Sequence, residues 1–327
     1  MKLLLAAAAA LSLLAAHPTA KSEWWYYTGQ IQTREGARLG FELTFFRVRL
    51  ADGGDVDAAH FALSDISRKA FFFDEKLHRP FPGIAGADEK KLSVFVENWE
   101  AREEAGRHIL RASSGGNGID LALTPAGPAV LNGAGGISRK GAGADDYSRY
   151  VSIPRLAAEG TVTRNGKTER VTGTAWFDHE FGPGGLPSGL SGWDWFSAQL
   201  SDGTALMLYR LRLKDGSVSG FSSGTFFGKD GRSTTLAASE FDTRATGSWT
   251  SPKTRATYPA GWDVRIPSKG IDVKITPLLA DQELVTPRST RVTYWEGACS
   301  VSGERNGRPV TGESYVELTG YADRDPR

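Results

Sequence analysis

The sequence predicts an all-β protein built from two antiparallel barrel or sandwich domains. Its 327 residues include 39 Gly and 15 Pro beside 9 Trp, 9 Tyr and 16 Phe. Glycine and proline favour turns, whereas aromatic residues favour strands. Apolar and polar residues alternate, as they do in half-buried strands, at 40–50, 91–99, 108–112, 119–123, 205–213 and 271–275. A chain of this length suits two hydrophobic cores rather than one.

Two pairs of matching segments indicate that the two domains arose by internal duplication. Residues 22–31 (SEWWYYTGQI) align without a gap with residues 191–200 (SGWDWFSAQL), and a second pair, each with Asn-Gly before a strand, lies at 165–178 and 306–317. Asn-Gly is the strongest short signal for a β-hairpin, and repeats in the same order favour duplication. The Gly/Pro-rich stretch 181–189 separates the copies. We therefore predict an N-terminal domain of residues 21–185 and a C-terminal domain of residues 186–327.

The first residues have the features of a secretory signal peptide. Lys2 precedes an apolar run at 3–16 that is too short to span a bilayer. We assign residues 1–20 to the signal peptide and leave the cleavage site open between Ala16 and Ala20, because neither follows an ideal small-x-small triplet. No cysteine near either position could carry a lipid anchor, and no later segment is apolar for long enough to form a membrane helix. We expect an exported protein, periplasmic or secreted, without a stable membrane anchor.

Charge and missing motifs exclude several function classes. The 39 basic and 38 acidic residues leave a net charge of +1, which does not attract a polyanion, so no nucleic-acid partner is expected. The sequence contains no Walker A loop, dinucleotide fingerprint, Gly-x-Ser-x-Gly elbow or paired-cysteine motif. Accordingly, no cofactor and no metal are expected. The single Cys299 excludes an internal disulfide and is expected to be a buried strand residue.

The densest group of ionisable residues is Asp178-His179-Glu180, at the end of a predicted strand. Strand alternation places Asp178 and Glu180 on one face and His179 on the other, beside Phe181, so the three do not form one metal site. The second half of the chain has Leu318 at the position of the histidine. Two interpretations stay open: a catalytic acid–base group, or a strand-end histidine bonded to a backbone carbonyl and flanked by two solvated carboxylates.

Aromatic residues and a second histidine are candidates for lining a ligand cavity. His60 lies in an apolar strand and either meets His179 across a barrel or is an ordinary core histidine, whereas His78 and His108 are expected at the surface. Aromatic faces bind apolar chains and stabilise a developing carbocation. Four tryptophans and two acids are further candidates for the cavity wall. The alternative is that the tryptophans pack in the core and the acids face outward. These residues are Trp25, Trp193, Asp194, Trp195, Trp295 and Glu296.

Motifs spread over nearly the whole chain resemble a known family. They are WWYYTG at 24–29, AHFAL at 59–63, AWFDHEFG at 175–182, GWDWF at 192–196, YWEG at 294–297 and YVELTGY at 315–321. With these motifs the chain resembles the lipocalin-like AttH family, which includes the carotenoid 1,2-hydratases. The resemblance implies two tandem lipocalin-like domains.

The resemblance also implies two functions. Carotenoid hydratases add water to an isolated double bond, which requires a proton donor, a dry cavity and stabilisation of a cation. Their proposed machinery corresponds here to His179 with Phe181, and to Tyr209 with Leu211, where those enzymes carry an acid. Because leucine cannot transfer a proton, the first expectation is a carrier of a lipid- or isoprenoid-like molecule, bound where the halves meet.

Exported members of the family, often encoded beside transporter subunits of the ATP-binding cassette class, imply such subunits as partners of the carrier. The alternative is a hydratase or isomerase that uses His179, Asp178, Glu180 and Tyr209. A third interpretation is a structural or protein-docking module, which filled cavities would favour.

Overall fold

The computed structural model describes residues 13–184 and 187–322, and this part of the chain is all-β, as predicted. The predicted boundary between residues 185 and 186 lies outside the described residues. The strands of the N-terminal half are β1 (Ser22–Thr33), β2 (Arg38–Arg49), β3 (Asp55–Asp65), β4 (Ala70–His78), β5 (Ala85–Ala87), β6 (Ser93–Val96), β7 (Trp99–Glu104), β8 (Arg107–Ser114), β9 (Asn117–Pro125), β10 (Val130–Leu131), β11 (Ile137–Arg139), β12 (Tyr147–Arg164) and β13 (Lys167–Gly182).

The C-terminal half has the same kind of secondary structure. Its strands are β14 (Leu190–Leu200), β15 (Ala205–Leu213), β16 (Ser223–Phe227), β17 (Ser233–Ala237), β18 (Asp242–Ala245), β19 (Ser248–Thr250), β20 (Thr257–Pro259), β21 (Trp262–Ile266), β22 (Ile271–Pro277), β23 (Glu283–Val285), β24 (Thr293–Arg305) and β25 (Arg308–Thr319). Two single turns of 3₁₀ helix lie at Ala238–Glu240 and Pro267–Lys269. Among the described residues, no helix has the length and apolarity needed to cross a membrane.

The N-terminal half forms one antiparallel sheet that curls into a nearly closed barrel. Its strand order is β4-β3-β2-β1-β13-β12-β9-β8-β7-β6-β5, and β10 and β11 both pair with β12. Alternate residues point inward and form the core, among them Trp25, Tyr27, Phe41, Phe61 and Phe177. Burying each such aromatic side chain contributes about 2 kcal/mol, so the barrel is a packed unit in its own right.

The C-terminal half forms a half-barrel with a comparable arrangement. The order β17-β16-β15-β14-β25-β24 is followed by β22-β21-β18, and β23 pairs with β24. The core contains Phe196, Trp262 and Trp295, together with Cys299, which is buried as predicted. The first strands of each half thus follow one another in the same spatial order, although descent of the two halves by duplication stays a prediction.

The two halves meet through the outer faces of their central strands. Tyr26, Trp176, Trp195, Tyr209 and Tyr315 belong to one buried cluster at this junction. Two hollows lie beside Gln30, with volumes of about 10 Å³ and about 180 Å³. Both hollows lie beside the part of β1 that pairs with Thr172 and Thr174, whereas Glu180 pairs with the other end of β1. Neither of these two hollows is the open cavity expected beside the Asp-His-Glu segment, where aromatic side chains from both halves pack against one another in the described part of the chain.

The end of the predicted signal peptide contacts the mouth of the N-terminal barrel. Leu14, Ala15 and Ala16 are buried, and the Leu14 carbonyl accepts a hydrogen bond of 2.9 Å from Trp25 Nε1. Residues 1–12, the greater part of the predicted signal peptide, lie outside the described residues. The described residues 13–20 therefore cover the barrel mouth, and removal of the signal peptide stays a prediction.

Candidate functional site

Strand β13 separates two groups of polar side chains, one on each of its faces. Asp178 and Glu180 point into the junction between the halves, whereas His179 points into the mouth of the N-terminal barrel. These are the faces that strand alternation predicts. Both carboxylates are buried, so the interpretation of them as solvated groups is wrong.

Asp178 is a buried acid surrounded by hydrogen-bond donors. Its carboxylate accepts hydrogen bonds from Tyr150 Oη at 2.6 Å, Ser152 Oγ at 2.5 Å and Trp176 Nε1 at 2.8 Å. Burial disfavours the charged form more than these three donors favour it, so the pKa of Asp178 rises from 3.8 to about 7. A substantial fraction of Asp178 is therefore protonated at neutral pH.

Glu180 lies two residues after Asp178 on the same face of β13 and is paired with a lysine. Ser148 Oγ donates to Glu180 Oε1, and Lys140 Nζ lies 3.1 Å from the same oxygen. The lysine also sits 3.9 Å from the centre of the Tyr209 ring. Burial lowers the pKa of Lys140, but its acidic neighbours, chiefly Glu180, together more than offset this effect and raise the pKa overall. The pair brings together two predicted site residues, Glu180 and Tyr209.

Three further acids at the junction were not predicted together from the sequence. Trp193 Nε1 donates to Glu317 Oε2 at 2.9 Å, and Tyr26 Oη donates to Glu296 Oε1 at 2.7 Å. Burial raises the pKa of Glu317 to about 7 and that of Glu42 to about 8, and it raises the pKa of Glu296 well above its usual value. We refer to Glu42, Asp178, Glu296 and Glu317 as the junction acids.

The aromatic candidates divide between the junction and the cores. Trp195 lies at the junction, where its Nε1 donates to Tyr150 Oη at 2.9 Å, and Trp193 is half-buried beside Glu317. Asp194 lies on the opposite face of β14 and pairs with Arg212. The remaining two tryptophans are core residues, Trp25 in the barrel and Trp295 in the half-barrel. Asp194, Trp25 and Trp295 therefore lie away from the junction, and Trp25 instead joins two other candidates, His179 and Phe181.

His60 fits the alternative of an ordinary buried histidine, whereas His108 lies elsewhere than expected. His60 lies on the outer face of β3, where Nδ1 bonds Tyr294 Oη at 2.6 Å and Nε2 bonds Ser289 Oγ at 2.8 Å, so it does not meet His179. His108 is buried rather than exposed, because β8 turns it into the barrel against Tyr27. Burial lowers the pKa of His60 to about 3 and that of His108 to about 4, so both are neutral at pH 7.

The surface position predicted for His78 agrees with the structure, where His78 is half-exposed beside Glu97.

His179 belongs to a second group, which we call the mouth cluster: His17, Glu23 and His179. Glu23 Oε1 lies 2.8 Å from His179 Nε2 and 2.9 Å from His17 Nδ1. The rings of Trp25 and Phe181 flank His179, with centroids at 4.9 and 5.1 Å. Burial raises the pKa of Glu23, but the hydrogen bonds from both histidines more than offset this effect and lower it to about 2. Glu23 is therefore ionised.

The sequence contained a usable signal for Glu23. It shares a face of β1 with Trp25, and β1 pairs with β13 so that Trp25 lies opposite His179. Had the first and last strands of the barrel been predicted to pair, Glu23 would have been identified as a neighbour of His179. No comparable signal marked His17, which precedes β1.

Comparisons with known proteins confirm the predicted resemblance. A family model described as AttH-like matches residues 13–321. A crystal structure of a putative AttH from Nitrosomonas europaea has 36% sequence identity and a TM-score of 0.86, with 94% of this chain and 95% of that chain covered.

More distant structures share the fold. Kievitone hydratase from Nectria haematococca has 20% identity and a TM-score of 0.77, covering 95% of this chain and 92% of that chain. CghA, solved with Sch210972, has 14% identity and a TM-score of 0.58, covering 94% of this chain and 89% of that chain. No curated protein matches the sequence.

Proposed function

The chain belongs to the AttH-like family, and we propose from this premise that it is a hydratase-like enzyme that adds water to, or removes it from, a carbon–carbon double bond of an apolar small molecule. The observation that carries the proposal is Asp178, a buried acid whose pKa of about 7 matches the working pH of a general acid. The fold shared with kievitone hydratase supports the same class of reaction.

Hydration of an alkene begins with transfer of a proton to carbon. Asp178 supplies this proton, and the two electrons of the double bond form the new C–H bond, which leaves a cation on the neighbouring carbon. We assign stabilisation of this cation to the nearby rings of Trp176 and Trp195, whose centroids lie 6.2 Å apart at 79° to each other. Water then attacks the cation, and the Asp178 carboxylate takes up the proton that the water loses. The acid is thereby regenerated.

The neighbouring polar groups orient the acid and the water. Tyr150 and Ser152 fix the Asp178 carboxyl group through hydrogen bonds to both of its oxygens. The Glu180–Lys140 pair lies on the same face of β13, where the Glu180 carboxylate accepts a hydrogen bond from the attacking water and orients it, while the proton that the water loses goes to Asp178. In this proposal Asp178 is the acid and Glu180 orients the water. Tyr209 positions Lys140, whose Nζ lies over its ring.

Substrate would enter the junction at its half-buried aromatic rim. Trp24, Phe46 and Trp193 are the partly exposed aromatic residues at the start of β1, the end of β2 and the start of β14. Because side chains fill the junction, these residues must shift when a substrate enters. An apolar rim favours an apolar substrate and excludes bulk water from the cation.

The carrier interpretation is the weaker of the two. One of the similar solved structures described above is a hydratase, which supports a catalytic function. A carrier also has no use for several acids whose pKa values lie near neutrality. We therefore favour catalysis, and transporter partners and export stay predictions.

Incorporation of labelled water tests the proposal. The full chain is incubated in ¹⁸O-labelled water with a panel of isoprenoid and other apolar alkenes, and products are analysed by mass spectrometry. We expect at least one product that contains ¹⁸O, and Asp178→Asn should lower its rate by about 100-fold or more, because asparagine cannot donate a proton to carbon.

Asp194→Asn provides the matched control, because Asp194 is also a buried aspartate with a raised pKa but lies on the far face of β14. This variant should keep the wild-type rate once circular dichroism has shown that it is folded. A panel without any labelled product, or an Asp178→Asn variant as active as the wild type, would contradict the proposal.

A further inference from the structure

The mouth cluster brings three metal-ligating side chains to one point from separate parts of the chain. His17 precedes β1, Glu23 lies on β1 and His179 lies on β13. Their ligand atoms all lie within 4.8 Å of one another, and Glu23 Oε1 is 2.9 and 2.8 Å from the two imidazole nitrogens. Ligands bound about 2.1 Å from a tetrahedral Zn²⁺ lie about 3.4 Å from one another, so shifts of about 0.5 Å at Glu23 would bring these atoms around one shared ion.

The hydrogen bonds of His179 determine which of its ring nitrogens faces Glu23. Its Nδ1 lies 2.8 Å from the Leu13 carbonyl oxygen, which can only accept, so Nδ1 carries a hydrogen. The other ring nitrogen, Nε2, lies 2.8 Å from the Glu23 carboxylate and is the atom of His179 available to a metal ion. Histidine ligands of metals commonly donate their other N–H to a backbone carbonyl, as His179 does.

We propose that His17, Glu23 and His179 bind one divalent transition-metal ion of the Zn²⁺ class. Two imidazole nitrogens and one carboxylate oxygen are a common zinc ligand set, which leaves a fourth position open to water or another ligand. Ca²⁺ and Mg²⁺ prefer sites made of oxygen ligands, so this set disfavours them. His17 is 26% exposed whereas Glu23 and His179 are buried, so the ion enters from the side of His17.

The ion would fasten the segment before β1 to the barrel. It joins His17 to the last barrel strand through His179, in addition to the hydrogen bonds and ring contacts that already hold this segment to Glu23, Trp25, Asp88 and Phe181. Because the unfolded chain does not bring the three ligands together, binding stabilises the folded state. The site lies on the opposite face of β13 from Asp178, so it is independent of the proposed hydratase chemistry.

Metal titration of the full chain tests this site. After treatment with EDTA and its removal, Zn²⁺ alone is titrated by calorimetry, and native mass spectrometry counts the bound ions. We expect one Zn²⁺ per chain with a Kd of 10 µM or lower and a higher Tm in its presence. His17→Ala and Glu23→Gln should each weaken binding by about 10-fold or more, because each removes a direct ligand.

His78→Ala is the matched control, since it removes a half-exposed histidine that also pairs with a glutamate, Glu97, and it should leave affinity unchanged. Cu²⁺ provides a spectroscopic readout, because electron paramagnetic resonance distinguishes coupling to two imidazole nitrogens in the wild type from coupling to one in His17→Ala.

His17→Ala is the decisive variant because its side chain is partly exposed, and circular dichroism checks its fold. A folded wild type that binds no Zn²⁺ at 10 µM, or equal affinity in folded His17→Ala, overturns the proposal.

Discussion

At the scale of single residues, the central feature is a carboxyl group that the fold makes a weak acid. Asp178 accepts three hydrogen bonds, yet burial raises its pKa from 3.8 to about 7. Burial likewise raises the pKa of Glu317 to about 7 and that of Glu42 to about 8. Acids that can be protonated at neutral pH are characteristic of sites that donate protons, and here they line one junction.

A raised pKa of Asp178 makes stability depend on pH in a defined direction. Between pH 3.8 and about 7 the folded state binds a proton that the unfolded chain has released, so the free energy of unfolding falls as the pH rises through this range. Asp178→Asn cannot ionise and should make this decline shallower, as measured by urea unfolding at several pH values. Glu42 and Glu317 leave a residual slope in the same direction. Asp120→Asn, which changes an exposed aspartate, should leave the slope as it is, whereas an unaltered slope in Asp178→Asn would contradict the raised pKa.

The sequence predicted some of these residues but not their partners. Alternation along one strand was enough to place Asp178 and His179 on opposite faces. By contrast, Tyr26 and Glu296 are 270 residues apart in sequence, and their contact exists only because the halves pack together. Spacing within a strand carries no information about such a contact.

At the scale of elements, turn chemistry proved predictable. The Asn-Gly pairs at 165–166 and 306–307 both have positive φ angles, 50° and 80° in the first and 52° and 70° in the second. Such angles are those that a two-residue hairpin turn requires, and both pairs join long antiparallel strands. The predicted strand at 91–99 instead divides into β6 and β7, because Glu97 adopts a left-handed conformation with φ of 54°.

The contact between β2 and β24 depends on a residue without a side chain. A Cβ atom at Gly40 would lie 2.7 Å from the Cβ of Ala298 and 3.0 Å from the Tyr315 hydroxyl. Gly40→Val should therefore force the two halves apart and lower the free energy of unfolding by about 2 kcal/mol. The measurement is urea unfolding followed by tryptophan fluorescence. Gly127→Ala, at a position where a Cβ meets nothing within 4 Å, should change stability little, and equal stability of the two variants would contradict this packing.

At the scale of the whole molecule, an all-β fold made of two antiparallel sheets was predictable from periodicity and turns. The contents of the junction were not, since the same alternating pattern describes a hollow lined with aromatic residues and a junction filled by them. Trp195 and Tyr26, whose ring centroids lie 5.1 Å apart across the junction, decide this in favour of a filled one. Side-chain volumes from two separate sheets must be known together before such a distinction can be made.

Direct titration of the Asp178 carboxyl group tests the whole account. The protein is labelled with ¹³C at the aspartate carboxyl carbons, and Asp178→Asn assigns the signal in the NMR spectrum. We predict that the Asp178 signal shifts with a midpoint near pH 7, which is where a proton donor buried between the two halves must titrate. A midpoint below pH 5 would show an ordinary ionised carboxylate and would contradict the assignment of Asp178 as the general acid.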